Sequence, residues 1–210
     1  MHDTALSAGR LFAQLYGGSG KTVVDVGGQD VNGSLRESFE RLGMKYICVD
    51  IVAHPSVDIV VAPGSKLPFE TASIDLIVST SCFEHDPCFW LTFKEMARIL
   101  KTDGFAYVNA PTNGVYHVYP GDNWRFYSDA GQALAYWSGV SMGGEEVFPM
   151  KVVETFHIQP RTDIWIDFVC IWGRSDTAET DITVSSDIRQ TRGRLESALQ
   201  ANRFRTSKTC

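Results

Sequence analysis

The stretch Thr22-Val-Val-Asp-Val-Gly-Gly-Gln-Asp-Val-Asn-Gly-Ser34 constrains this chain more than any other. Val23, Val24 and Val26 are β-branched and only Asp25 interrupts them, so the segment reads as a buried strand. Gly27-Gly28 break it. A helix restarts beyond, with Asn32 or Ser34 placed to cap its N-terminus. A strand, a glycine turn and a helix N-terminus form a cradle for a polar ligand at the carboxyl edge of a sheet. A second strand, Tyr46-Ile-Cys-Val-Asp50, ends in an acid 25 positions after Asp25. An acid at that place commonly accepts hydrogen bonds from ribose hydroxyls.

The surrounding pattern extends this unit into an α/β fold. Leu6, Leu11, Phe12, Leu15 and Tyr16 form a helical stripe over residues 3–17. Gly20-Lys21-Thr22 resembles the end of a phosphate loop. However, Leu15 stands where that loop needs a glycine, and Lys-Thr precedes the strand, so that reading is rejected. The pattern predicts a helix over about 33–42, short strands at 56–61 and 74–79, and a helix opened by Asp86-Pro87 and stopped by Gly104. A fifth strand is expected at 105–109, then an aromatic and polar loop over 111–128 and a helix at about 129–138. Two further strands, 147–157 and 163–172, would close the sheet as an antiparallel edge hairpin. The expectation is one domain over residues 1–173 with a Rossmann-like, doubly wound, mostly parallel sheet. The Ser/Thr-rich residues 174–210 are expected to be a flexible or loosely helical tail, or a segment that docks on a partner domain or a second copy.

Composition narrows the function classes. The net charge is -6; residues 173–210 carry seven Lys or Arg against five Asp or Glu, leaving the body at -8. An acidic body argues against duplex nucleic acid, whose phosphates need clustered cations. No apolar run of about 18 residues exists, so no membrane span is expected. The start Met1-His-Asp-Thr-Ala lacks the pattern of a signal peptide. Five scattered cysteines without a CxxC pair read as reduced thiols of a cytoplasmic protein, with no metal site expected.

The chain resembles the class I S-adenosylmethionine-dependent methyltransferases of the type 11 group over roughly residues 20–140. The resemblance rests on Val-Val-Asp25-Val-Gly27-Gly28, Val49-Asp50, Leu67-Pro68-Phe69, Ser73-Ile-Asp75-Leu-Ile-Val-Ser79 and Glu95-Met-Ala-Arg98-Ile-Leu-Lys-Thr-Asp-Gly104, in that order. It implies S-adenosylmethionine as cofactor and S-adenosylhomocysteine as product. It also implies roles by position. Asp25 and Gly27 would lie under the methionine part, and Gly28, Gln29 and Asn32 belong to the same loop. Asp50 would take both ribose hydroxyls, Ile51 would pack on adenine, and Ala62 and Pro63 would border its edge. Ser79 and Thr80 would end a strand beside the sulfonium. Gln29 and Val31 replace the family's later glycines, and Ala62-Pro63 stand where an acid often meets the adenine amino group.

The acceptor side is read from the residues themselves. His85 follows the fourth strand, and His117 and Asp122 lie in the loop after the fifth, where such folds hold substrates. His117 is the first candidate general base, with His85 and Asp122 behind it. Arg125 is a candidate substrate anchor or a buried ion-pair partner, and Tyr116, Tyr119 and Trp124 are candidate pocket walls. Together these suggest O-methylation of a sugar, glycan or other small polar hydroxyl. The alternatives are N-methylation of a small amine, methylation of a natural-product scaffold or of a protein, and a non-catalytic cofactor-binding module of a larger assembly. A nicotinamide dehydrogenase is disfavoured because the full G-x-G-x-x-G series is absent.

Overall fold

The computed structural model describes residues 3–159, 164–174 and 193–208. Helix α1 (Asp3–Tyr16) precedes strand β1 (Thr22–Val26). Next come α2 (Arg36–Glu40), β2 (Lys45–Asp50), β3 (Ile59–Val60), β4 (Ile74–Thr80), α3 (Phe89–Ile99) and β5 (Leu100–Pro111). Helix α4 (Ala130–Ser138), strands β6 (Met150–Gln159) and β7 (Asp167–Arg174), helix α5 (Arg194–Ala201) and strand β8 (Arg205–Ser207) complete the elements among the described residues. The strands form one sheet in the order β3-β2-β1-β4-β5-β7-β6-β8. β3, β2, β1, β4 and β5 run parallel; β7 joins β5 antiparallel, and β6 and β8 follow antiparallel.

The alternation of strand side chains divides the interior into two layers. On one face Val24, Val26 and Ile77 pack with Phe93 and Met96 of α3 and Leu134 of α4. On the other, Val23, Leu76 and Tyr107 pack with Phe12 of α1, Phe39 beside β2, and Leu195 and Leu199 of α5. Helices on both faces of a parallel sheet explain why β1 reads as an almost continuous valine run. Among the described residues no helix is long and apolar enough to cross a membrane.

Several expected boundaries move, each for a local reason. α2 spans only Arg36–Glu40, because Leu35 lies at its N-cap and Gly43 takes a φ of +74° beyond it. The third strand shrinks to Ile59–Val60. α3 starts at Phe89 rather than Asp86; the Asp86 carboxylate accepts the Cys88 N–H at 2.8 Å, making a turn ahead of the helix. Gly104 does not end that helix. The chain is already extended at Leu100, and a Cβ on Gly104 would meet the Asp75 carbonyl at 2.8 Å, so the glycine lets β5 approach β4. β7 begins at Asp167, because the Asn113 side chain ties up the backbone before it. That side chain donates to the Ile164 carbonyl at 2.9 Å and accepts the Ile166 N–H at 2.7 Å. The expected strand start at Asp163 lies outside the described residues.

The largest departure concerns the tail. Residues 175–192 lie outside the described residues, but 193–208 fold onto the body, so the β6-β7 hairpin is not the sheet edge. The buried Glu154 carboxylate of β6 draws α5 in, accepting the Leu195 N–H at 3.0 Å, the Glu196 N–H at 3.2 Å and the Tyr16 hydroxyl at 2.7 Å. An anion at a helix N-terminus satisfies donors that the helix itself leaves open. Gly193 permits the contact, since a Cβ there would fall 2.0 Å from the Glu154 side chain. The scarcity of large apolar residues hid this segment; Leu195 and Leu199 suffice because they meet an acceptor already buried. Leu199→Ala should therefore cost about 2–5 kcal/mol in urea unfolding, the range for a buried leucine. A loss below about 0.5 kcal/mol would mean that the segment does not pack on the core.

Candidate active site

The glycine turn after β1 is built from both sides. Gly27 has a φ of +73°, and a Cβ on it would lie 2.1 Å from the Cys82 Sγ. Its N–H donates to the Val49 carbonyl at 2.8 Å, tying the end of β1 to the end of β2. A Cβ on Gly28 would lie 2.5 Å from the Asp25 carboxyl carbon. Asp25 thus sits directly beneath the turn, fully buried, and accepts a hydrogen bond from the Tyr46 hydroxyl. Burial pushes its carboxyl up to about 7, against the Tyr46 hydrogen bond and with a further push from the Asp50 charge. Asp25 is a floor support under the loop and does not itself face the cleft.

The cleft over this turn has a volume of about 720 Å³. Its lining includes Gly27, Gly28, Gln29, Asn32, Asp50, Ile51, Ala62, Pro63 and Thr80, all of them candidate cofactor-side residues. The Asp50 carboxylate accepts the Gln29 N–H and the Val52 N–H, each at 3.1 Å. These bonds fix the group at the mouth of the cleft and leave each oxygen a further lone pair. Ser79 corrects expectation: it is fully buried, and its hydroxyl donates to the Val26 carbonyl at 2.8 Å, so it locks β4 to β1 and lines nothing.

The lining also includes Glu84, His85, His117, Tyr119 and Trp165. The ring centroids of His85 and His117 lie 4.9 Å apart, edge to face. His85 Nδ1 donates to the Gly121 carbonyl, which can only accept. Nε2 therefore carries the lone pair. Burial holds the His85 imidazole below its usual value, so it is neutral at physiological pH. His85 Nε2 is 3.7 Å from Glu84 Oε1, and burial pushes the Glu84 carboxyl up to about 8.

Four acceptor-side candidates are not on the cleft. Asp122 is buried and clamped by Arg125, whose Nη2 donates to Oδ2 at 2.7 Å. That guanidinium holds the Asp122 carboxyl well below the usual carboxylate range, so Asp122 is no base. Arg125 is likewise consumed by this pair and by the Trp124 carbonyl at 2.8 Å, which is the ion-pair reading and not the anchor. Asp122 also accepts the His117 N–H at 2.9 Å, so the pair braces the histidine's loop. Tyr116 is 73% exposed and off the cleft. The Trp124 indole N–H donates to the Asp86 carbonyl at 2.9 Å and its ring packs on Phe89 and Trp90. Sequence reasoning missed Glu84, Cys82 and Trp165 as wall residues. Glu84 carried the one available signal, its place beside His85 at the end of β4.

Residues 24–108 match a family model described as "Methyltransferase domain". An "Uncharacterized methyltransferase" of Mycobacterium sp. (strain KMS) is 35% identical over 96 residues, covering 41% of this chain and 37% of that protein. A protein of the same description from Mycobacterium avium (strain 104) is 32% identical over 117 residues, covering 50% and 46%. The chain thus matches less than half the length of these relatives. Among solved structures, the Burkholderia thailandensis 1,6-didemethyltoxoflavin-N1-methyltransferase, determined with 1,6-didemethyltoxoflavin and S-adenosylhomocysteine, superposes with a TM-score of 0.60 at 16% identity, over 83% of this chain and 80% of that one. The PH0226 protein of Pyrococcus horikoshii OT3 superposes with a TM-score of 0.56 at 14% identity, over 79% and 86%. These two likenesses are of fold. Residues 24–108 thus match a methyltransferase domain, within a chain whose sheet order is that of a mostly parallel, doubly wound α/β fold.

Proposed function

We propose that this protein transfers the methyl group of S-adenosylmethionine to a hydroxyl of a small polar acceptor. The observation that carries the reading is a single cleft with an Asp50 carboxylate and a glycine turn at one end and two neighbouring imidazoles at the other. Asp50 would accept from the ribose hydroxyls, Ile51 with Ala62 and Pro63 would flank adenine, and Gly27 and Gly28 would let the backbone approach the methionine part. Thr80, at the end of β4, would lie near the sulfonium. The bound B. thailandensis relative holds S-adenosylhomocysteine on the same fold. A volume of about 720 Å³ is in the range of ligand pockets, about 300–1,000 Å³.

The sulfonium is already activated, so the protein's main task is alignment. The acceptor oxygen forms the new bond to the methyl carbon. The electrons of the broken carbon–sulfur bond stay on sulfur, and the hydroxyl proton must leave. The lone pair of His85, and His117 beside it, face the acceptor end and favour an acceptor with such a proton. Tyr119 and Trp165 line the same cleft, and aromatic walls suit a ring-shaped acceptor such as a sugar. Tyr116 and Trp124 do not contribute to that wall.

Labelled methyl transfer into a panel of sugars and small hydroxylated metabolites is the direct search for the acceptor. For the cofactor end, Asp50→Ala should weaken S-adenosylhomocysteine binding in calorimetry by about 1.5–3 kcal/mol, the scale of charge-assisted hydrogen bonds. Unchanged affinity in the folded variant would remove Asp50 from the site. For the acceptor end, His85→Ala should lower turnover about 100-fold or more while S-adenosylhomocysteine affinity stays the same. Protonation removes the imidazole lone pair, so turnover should fall on the acid side, with a midpoint below the ordinary histidine value of about 6.5. Transfer to amines with no acid limb and no effect of His85→Ala would favour N-methylation instead.

A further inference from the structure

We infer that Glu84, His85 and His117 form a binding site for a divalent transition-metal ion of the zinc type at the acceptor end of the cleft, with an acceptor oxygen completing its coordination. One ligand atom from each of the three side chains lies within 4.8 Å of the others. The edge of a tetrahedral zinc site with bonds of about 2.0–2.1 Å is about 3.3 Å. The separation of 3.7 Å between Glu84 Oε1 and His85 Nε2 is already close to that. Closing the longest gap asks about 0.8 Å of each partner, which rotation of the 37% exposed His117 side chain can supply.

Both imidazoles are backed as metal-binding imidazoles are. His85 Nδ1 donates to the Gly121 carbonyl. His117 Nδ1 lies 3.3 Å from the Val115 carbonyl and 3.3 Å from the Asp122 carboxylate, both acceptors. Donation from Nδ1 leaves the Nε2 lone pair of each ring for an ion. A second observation is independent of the histidines. Glu84 is 2% exposed, and its Oε2 has no hydrogen-bond partner among the described residues. A buried carboxyl oxygen with no hydrogen-bond partner is costly, and a bound dication would meet it. Cys82 lines the same cleft, but its Sγ is packed against Gly27, so the donor set is two nitrogens and one oxygen. Such a set suits zinc, manganese, iron or cobalt in the divalent state. Three protein ligands beside an open cleft leave a position for a further oxygen. The ligands come from two loops 32 positions apart, which no spacing motif reveals.

The role of the ion rests on the methyltransferase reading. With both Nε2 lone pairs on the ion, neither imidazole takes the proton; the acceptor hydroxyl, made more acidic by the ion, would lose it to water at the open side of the cleft. The site itself rests only on the three side chains. Untagged protein, stripped with chelator, should bind one zinc ion per chain in calorimetry. One equivalent of cobalt should produce visible d–d absorption. His85→Ala, His117→Ala and Glu84→Gln should each weaken binding by at least about 10-fold. S-adenosylhomocysteine affinity should be unchanged in all three, which also reports that they fold. No stoichiometric ion, or equal binding by the wild type and all three variants, would overturn the site. S-adenosylhomocysteine binding without ion binding overturns the ion site alone. Ion binding without S-adenosylhomocysteine binding supports the site and counts against the methyltransferase reading.

Discussion

The close packing of Gly27-Gly28 between Cys82 and Asp25 is the contact on which the rest of the site depends. A Cβ at either position would intrude to 2.1 Å or 2.5 Å. Because none is present, the loop after β1 drops onto Asp25, and Asp25 in turn is tied to β2 through Tyr46. The same descent brings the Gln29 N–H to the Asp50 carboxylate. One steric allowance thus sets the cleft floor, orients its acid and fixes the distance between neighbouring strand ends. Asp25 is held largely out of water at a cost that shows in its raised carboxyl, and the loop above it is what keeps it covered.

The opposite wall is organised by a part-buried ion pair. Asp122 and Arg125 satisfy each other almost entirely within the loop after β5, and the same carboxylate receives the His117 backbone N–H. Their charges are consumed internally, so they act on the cleft only by holding His117 across from His85. Asn123 and Trp124 fasten the loop to the segment after β4 through the Glu84, His85 and Asp86 carbonyls. His85 and His117 are therefore placed by backbone and side-chain bonds between the same two loops.

The legible part of this protein was the part written in local pattern. The valine run, the glycine turn and Asp50 specify one part of the cleft because strand register and backbone sterics determine where they point. The acceptor loop carried the right residue types without a period, so nothing local distinguished His117, which faces the cleft, from Arg125, which is spent on Asp122. Ser79 was misplaced because a serine at the end of β4 points down into the sheet, where the Val26 carbonyl waits. The folded segment 193–208 was missed for a different reason. Its partner, the Glu154 carboxylate, lies about forty positions earlier in the chain and looks like an ordinary strand acid until β6 is seen to bury it.

A crystal structure with S-adenosylhomocysteine bound tests the central claim most directly. The account places both ribose hydroxyls within hydrogen-bond reach of the Asp50 carboxylate, the methionine part over Gly27-Gly28, and the sulfur facing Glu84, His85 and His117. A ribose held elsewhere, or a sulfur turned away from the two histidines, would contradict it.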